Sequence, residues 1–185
     1  DCVIGRVPKS KTELTYLLTA LNRWVKPGCT LLLAGMDKHL SKGQFELLDK
    51  YFGPASFLPG VKKARVWKAL VNKDLSQASD QGVFDQAKAI NLPEFDLSLK
   101  ALPNVFSNDH LDIGSRFFLE HYSSLPESAE VADLACGNGV LGLAYLSAYP
   151  TTNMYFYDES FQAIQSAEEN HRNNLPESVA EFVAC

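Results

Sequence analysis

Long apolar runs are missing from this chain of 185 residues. Nothing approaches the roughly 20 consecutive apolar residues that cross a bilayer. The opening Asp1-Cys-Val-Ile4 also lacks the basic-then-apolar plan of a signal peptide. No membrane partner is expected, and the expected location is the cytoplasm. Cysteine is scarce: Cys2, Cys29, Cys136 and Cys185 are scattered without CxxC or Cys/His spacing, so neither a metal site nor a disulfide framework is indicated and free thiols are expected. Positive charge is short as well. Lys and Arg number 17 against 22 Asp and Glu, a net charge of −5, which weighs against nucleic-acid binding because phosphate contacts rely on basic surfaces. The densest basic run is Lys62-Lys-Ala-Arg65, followed by Trp67 and Lys68. Its plain reading is the solvated face of a strand; its functional reading makes Lys62, Lys63 and Arg65 an RNA contact. What is present is an ordinary globular composition, 46% apolar and 21% charged, enough for one good core or two small ones.

Periodicity divides the chain. Val3 to Val7 reads as a short strand. Ser10-Lys-Thr-Glu13 reads as a capping box opening a helix whose Leu14, Leu17, Leu18, Leu21 and Val25 share one face. Pro27-Gly28 ends it. Thr30 to Ala34 is a continuous apolar run suited to a central parallel strand. Ser41 to Phe52 reads as a second helix with Phe45, Leu48 and Phe52 on one side, and Ala55 to Val71, broken at Pro59-Gly60, as a hairpin. Trp24 and Trp67 are taken as packing residues. Residues 76–103 are polar and proline-punctuated and read as a linker with a short helix. From residue 104 a second α/β unit is expected: a helix over Ile113–Tyr122 burying Ile113, Phe117 and Phe118, then strand (Val131–Leu134), helix (Val140–Tyr149), strand (Asn153–Tyr157), helix (Ser160 to about Arg172) and strand (Ala180–Val183). This β-α-β-α-β order is the first half of a doubly wound sheet.

Asp133-Leu-Ala-Cys-Gly-Asn-Gly-Val-Leu-Gly142 joins a strand to a helix, where glycines let backbone approach a ligand. As a bare pattern, Gly137-x-Gly139-x-x-Gly142 also fits the dinucleotide fingerprint. Two carboxylates bear on the choice. Asp133, just before the loop, would repel a pyrophosphate but could pair with the amino group of S-adenosylmethionine (AdoMet). Asp158, about twenty residues on, has the spacing of a ribose-binding carboxylate, which AdoMet and NAD both require. The plain alternatives are a helix-capping role for Asp133 and an N-cap for Asp158, although Ser160 could fill the latter. Cys136 has no general base near it in sequence and reads as a loop-packing residue. His110, His121 and His171 stand singly and read as solvated or packed side chains.

Val105-Phe-Ser-Asn-Asp-His-Leu-Asp-Ile-Gly-Ser-Arg-Phe-Phe-Leu119, Asp133-Leu-Ala-Cys-Gly-Asn-Gly139 and Tyr157-Asp-Glu-Ser160 together resemble the bacterial ribosomal-RNA guanine-N2 methyltransferases. Arg6-Val-Pro-Lys-Ser10, Gly35-Met-Asp-Lys-His39 and Lys62-Lys-Ala-Arg65 are similar to the end of that family's N-terminal domain. The resemblance implies an α/β protein of two Rossmann-like methyltransferase-type units, both incomplete. Residues 1–75 would close a degenerate N-terminal domain that helps hold RNA, and 104–185 would be the first half of an AdoMet-binding domain. It further implies ribosomal RNA as partner and AdoMet as methyl donor, enclosed by Asp112 and Gly114 and lined by Gly137, Asn138 and Gly139. Asp158 would hold the ribose with Glu159 beside it. Details look more like the large-subunit (23S) enzyme than the small-subunit (16S) one, and a monomer is expected.

Two departures stand out. Ala135 occupies a place where the family usually has glycine, which implies a slight reshaping of the site. The family's catalytic Asn-Pro-Pro-aromatic motif is not in the sequence; Asn91-Leu-Pro93 and Asn174-Leu-Pro176 follow no suitable strand. The expectation is an internal piece of a longer enzyme, carrying the donor half of the site and inactive alone. Two other readings remain open: an NAD-dependent oxidoreductase, resting on the literal GxGxxG, and a non-catalytic RNA-binding module.

Overall fold

The computed structural model describes residues 1–72, 84 and 87–185. The chain forms two compact units, Asp1–Gly82 and Val83–Cys185, each α/β.

In the first unit, β1 (Cys2–Arg6) and β2 (Thr30–Met36) run parallel, connected by α1 (Lys11–Trp24). After α2 (Lys42–Phe52), the chain turns back through β3 (Ala55–Phe57) and β4 (Ala64–Leu70), which pair antiparallel, and β4 is also antiparallel to β2. The sheet order is therefore β1-β2-β4-β3. Leu31 and Leu33 of β2 point into the same core as Leu14, Leu18, Leu48, Phe52 and Trp67. Both helices start where their side chains supply the caps. Ser10 accepts from the Glu13 amide at 3.4 Å. Ser41 and Gln44 form a complete capping box, and the buried Gln44 amide also donates to the Pro8 carbonyl at 2.8 Å, tying α2 to the turn after β1. Trp67 is buried as expected, but Trp24 is 84% exposed. It sits one residue, about 100° of helical turn, before the buried Val25 and so leaves the apolar stripe.

The second unit begins with a hairpin, β5 (Ile90–Leu92) and β6 (Leu97–Leu99), turned by a 3-10 segment at Pro93–Phe95. The linker expected over 76–103 lies partly outside the described residues; from Ile90 onward it is replaced by this hairpin and the segment after it. Ile90, Leu92, Leu97, Leu99, Ala101 and Leu102 are all buried. Three-residue strands carry too little alternation to stand out against Pro93 and the intervening polar residues.

A two-turn helix, α3 (Ile113–Leu119), precedes the parallel sheet β7 (Glu130–Leu134), β8 (Asn153–Asp158) and β9 (Ala180–Ala184), with α4 (Val140–Ala148) and α5 (Phe161–Asn174) as crossovers and order β7-β8-β9. The β-α-β-α-β frame thus holds within a residue or two of each expected boundary. The burial expected of α3 does not. Ile113, Phe117 and Phe118 are 84%, 63% and 47% exposed, while Leu119 and Tyr122 enter the core. The helix docks by its C-terminal end, so its apolar phase falls elsewhere than the sequence suggests.

The hairpin is fastened to α5 by a side-chain ladder. Ser98 donates its amide to Asn174 Oδ1 at 2.8 Å, Lys100 to Asn170 Oδ1 at 2.9 Å and Leu102 to Ser166 Oγ at 3.0 Å. Four residues of helix rise about 6.0 Å and two residues of strand about 6.6 Å. Polar side chains at every fourth helical position therefore meet every second strand amide. Asn170 extends the ladder by donating to the carbonyls of Lys100 (2.7 Å) and Asn138 (2.9 Å).

Candidate ligand site at the carboxyl ends of the second sheet

The glycine loop leaves β7 through alternating backbone signs: Ala135, Gly137 and Gly139 have φ of 56°, 57° and 81°. Its last glycine, Gly142, is required by packing. A Cβ there would lie 2.4 Å from Phe156 Cε1, because α4 crosses β8 at that point. The loop, the end of β8 and the 104–115 segment enclose a cavity of about 830 Å³.

Asp133, Ala135, Gly137 and Asn138 line this cavity with Asp112, Asp158 and Glu159. Gly114 and Gly139 do not. The Gly114 amide is held by Asp112 Oδ2 at 2.9 Å, and Gly139 turns toward Ala167 and Leu143. Lys62, Lys63 and Arg65 belong to the first unit and are no part of this cavity.

The three aspartates have backbone work. Asp112 caps α3 through the amides of Gly114 and Ser115. Asp133 Oδ2 accepts from the Gly142 amide at 2.9 Å, so the helix-capping role is real. Burial nevertheless pushes its carboxyl up to about 6, against the lowering effect of that hydrogen bond, with the Asp158 charge adding to the rise. Ser160, not Asp158, caps α5 by accepting from the Ala163 amide. Asp158 accepts instead from Gly137 N (2.9 Å) and Ser160 N (2.8 Å). Each of its oxygens is thereby oriented by one amide and keeps further acceptor capacity.

The wall is acidic. Asp112, Asp133, Asp158 and Glu159 face the space, and among the described residues that line it there is neither lysine nor arginine. Two acids flank the glycine loop, and one of them already occupies the Gly137 amide that an incoming phosphate would need. The arrangement disfavours a pyrophosphate and favours a ligand with positive charge. Burial pushes the Cys136 thiol up to about 12, so it stays protonated and non-nucleophilic at neutral pH. Val105, Phe106, Leu111 and Tyr157 supply apolar wall. Of these the sequence signal was the 105–119 stretch, read for its family resemblance without singling out these side chains. Among the described residues no group of three His, Cys, Asp or Glu side chains could hold a metal ion, and no helix is long and apolar enough to cross a membrane.

Comparison with known proteins matches residues 96–184 to the methyltransferase small domain family and residues 1–73 to the RLMG N-terminal domain family. The chain is 39% identical over 180 residues to ribosomal RNA large subunit methyltransferase G of Ectopseudomonas mendocina, covering 97% of this chain and 47% of the relative. It is 38% identical over 183 residues to the protein of that name from Alcanivorax borkumensis, covering 98% and 45%. The chain spans about half the length of the curated relatives it matches. A solved structure of the Thermus thermophilus 16S rRNA N2 G1207 methyltransferase, in complex with AdoMet and guanosine, superposes with a TM-score of 0.78 at 19% identity, covering 100% of this chain and 50% of that one. At that identity the likeness speaks for the fold, which is the Rossmann-like methyltransferase fold expected from the sequence. The two family matches along one chain lead to a single assignment by segment: residues 1–73 belong with the RLMG N-terminal domain family and residues 96–184 with the methyltransferase small domain family, in the same chain that is similar to part of the ribosomal RNA large subunit methyltransferases G.

Proposed function

We propose that this chain holds the AdoMet-binding part of an enzyme that methylates the exocyclic N2 of a guanine in 23S ribosomal RNA. The observation that carries the reading is the acidic cavity around the glycine loop: four carboxylates with neither lysine nor arginine beside them. AdoMet brings a sulfonium and an ammonium group, whereas NAD brings a pyrophosphate, and like charge in a partly desolvated cleft is costly. Asp158 would accept from the ribose hydroxyls, Asp133 would pair with the amino group, and Gly137 and Asn138 would offer backbone. Asp112 and Glu159 would complete the enclosure, with Gly114 and Gly139 shaping it from behind.

AdoMet, when bound, supplies an electrophilic methyl group. This chain's contribution is alignment, on which a displacement of this kind chiefly depends. The guanine would have to be swung out of its stack to reach the methyl. The Asn-Pro-Pro-aromatic motif is absent from the sequence. The chain alone is therefore expected to bind AdoMet without turning it over. Residues 1–75 serve in this reading as the close of a degenerate methyltransferase-like domain, and 104–185 as the first half of the active one, in a monomer.

Calorimetry with AdoMet and with NAD on the chain separates this from a dinucleotide oxidoreductase: tight NAD binding with none for AdoMet would sink it. Primer-extension mapping of 23S and 16S RNA from a strain lacking the parent gene tests the subunit, and a lost stop in 16S would move the target there. A parent protein that binds RNA but no AdoMet would favour the non-catalytic module.

A further inference from the structure

Charge is split along the chain far more unevenly than its net value tells. Residues 1–72 hold 12 Lys and Arg against 5 Asp and Glu, a net of +7, and residues 73–185 hold 5 against 17, a net of −12. The basic half is the first unit, and its densest run is built into an unusual turn. Lys62 and Lys63 have φ of 49° and 62°. They stand between Val61 and Ala64, whose backbones exchange two hydrogen bonds of 2.9 Å. Positive φ at both central residues is the geometry of a type I′ hairpin turn, which Asn-Gly adopts readily and two lysines do not. Backbone strain of this kind clusters at ligand clamps and other functional sites.

Beside the turn the Arg65 guanidinium lies 5.1 Å over the Phe57 ring, steadied by Asp37 at 3.2 Å from Arg65 Nε. Phe45 meets Phe57 and Trp67 edge-on, at centroid distances of 6.0 and 5.4 Å. These side chains, with Leu40 and Lys42, wall a cavity of about 420 Å³ in which Phe57 stays 58% exposed. The volume lies in the range of small-ligand sites. An aromatic and guanidinium wall flanked by lysines fits a planar base between two phosphates.

We propose that the Phe45–Phe57–Arg65–Trp67 cavity takes one unstacked base of single-stranded RNA, with Lys62 and Lys63 on the strained turn holding the flanking phosphates. The proposal rests on the RNA reading above and adds to it the place and the mode of grip. It gives the basic surface a location that the net charge conceals. It also gives the turn a reason to carry lysines where another pair would fold better.

The test is fluorescence anisotropy of the full chain with a labelled single-stranded RNA 12-mer, its duplex and a free mononucleotide, at several salt concentrations. Single strand should bind more tightly than duplex, and the mononucleotide weakly. Lys62→Asn with Lys63→Gly should melt at a higher temperature than the parent yet bind RNA more weakly, with the logarithmic salt slope reduced by about 1.4 for two lost phosphate contacts. Phe57→Ser should lose roughly ten-fold in affinity with that slope unchanged, since stacking is not an ionic contact. Equal binding of duplex, undiminished affinity in both variants, or no RNA binding by the parent chain would overturn the proposal. AdoMet calorimetry on the same samples reports on the donor site alone, so a chain that grips RNA but not AdoMet sinks the methyl-transfer reading and spares this one.

Discussion

Ala135 holds a left-handed backbone, φ 56°, that costs an ordinary residue about 1–2 kcal/mol and glycine almost nothing. Ala135→Gly should therefore stabilise the second unit by about 0.5–1 kcal/mol after the extra freedom of unfolded glycine is deducted, readable as a higher urea midpoint; an unchanged or lower midpoint would refute the strain. Its neighbour Asp133 predicts a pH effect. Its folded carboxyl titrates at about 6, above the ordinary value of 3.8. Between pH 4 and 6 the folded state holds more of this proton than the unfolded state does, so this group's contribution to stability is fully present below about pH 4 and is lost as pH rises through 6. Ligand binding follows the opposite sign. Pairing with an ammonium group needs the carboxylate, so AdoMet affinity should fall by up to ten-fold per pH unit below 6. In Asp133→Asn that slope should vanish, and a slope retained there would remove Asp133 from the amino-group contact.

The α5 ladder is the element most open to test. Asn170→Ala would remove the bonds that this side chain makes to the amide and carbonyl of Lys100 and to the carbonyl of Asn138, in buried or half-buried surroundings. A loss of about 3 kcal/mol is expected, measured by denaturant unfolding. A loss under 0.5 kcal/mol would mean that water replaces the side chain freely. Gly142→Ala should cost about 2 kcal/mol by the same measurement, since its Cβ meets the fully buried Phe156. The ladder was illegible in the sequence for a definite reason. Ser166, Asn170 and Asn174, spaced by four, look like one solvated stripe until a strand edge is laid against them. The β-α-β-α-β frame was legible because apolar runs and caps such as Ser41/Gln44 are local signals. The glycine-loop carboxylates and the helix-capping alternative for Asp133 were legible in the sequence, but not the bonds of Asp158 to Gly137 and Ser160, which arise only when strand ends and helix starts converge. Ile113, Phe117 and Phe118 misled because seven residues make too short a helix to fix its own apolar phase.

At the scale of the whole molecule, two units with separate apolar cores should unfold as two calorimetric transitions. AdoMet should raise the one belonging to Val83–Cys185 by mass action, and a shift confined to the other transition would place the ligand in the wrong unit. The opposed charges of the two halves have a plainer consequence on a chromatography bench. Judged by its pI near 5.4 alone, a chain of this kind would pass a cation exchanger at neutral pH. With seven net positive charges gathered in residues 1–72, it should be retained there as well as on an anion exchanger, and Lys62→Asn with Lys63→Gly should elute earlier from the first column and later from the second.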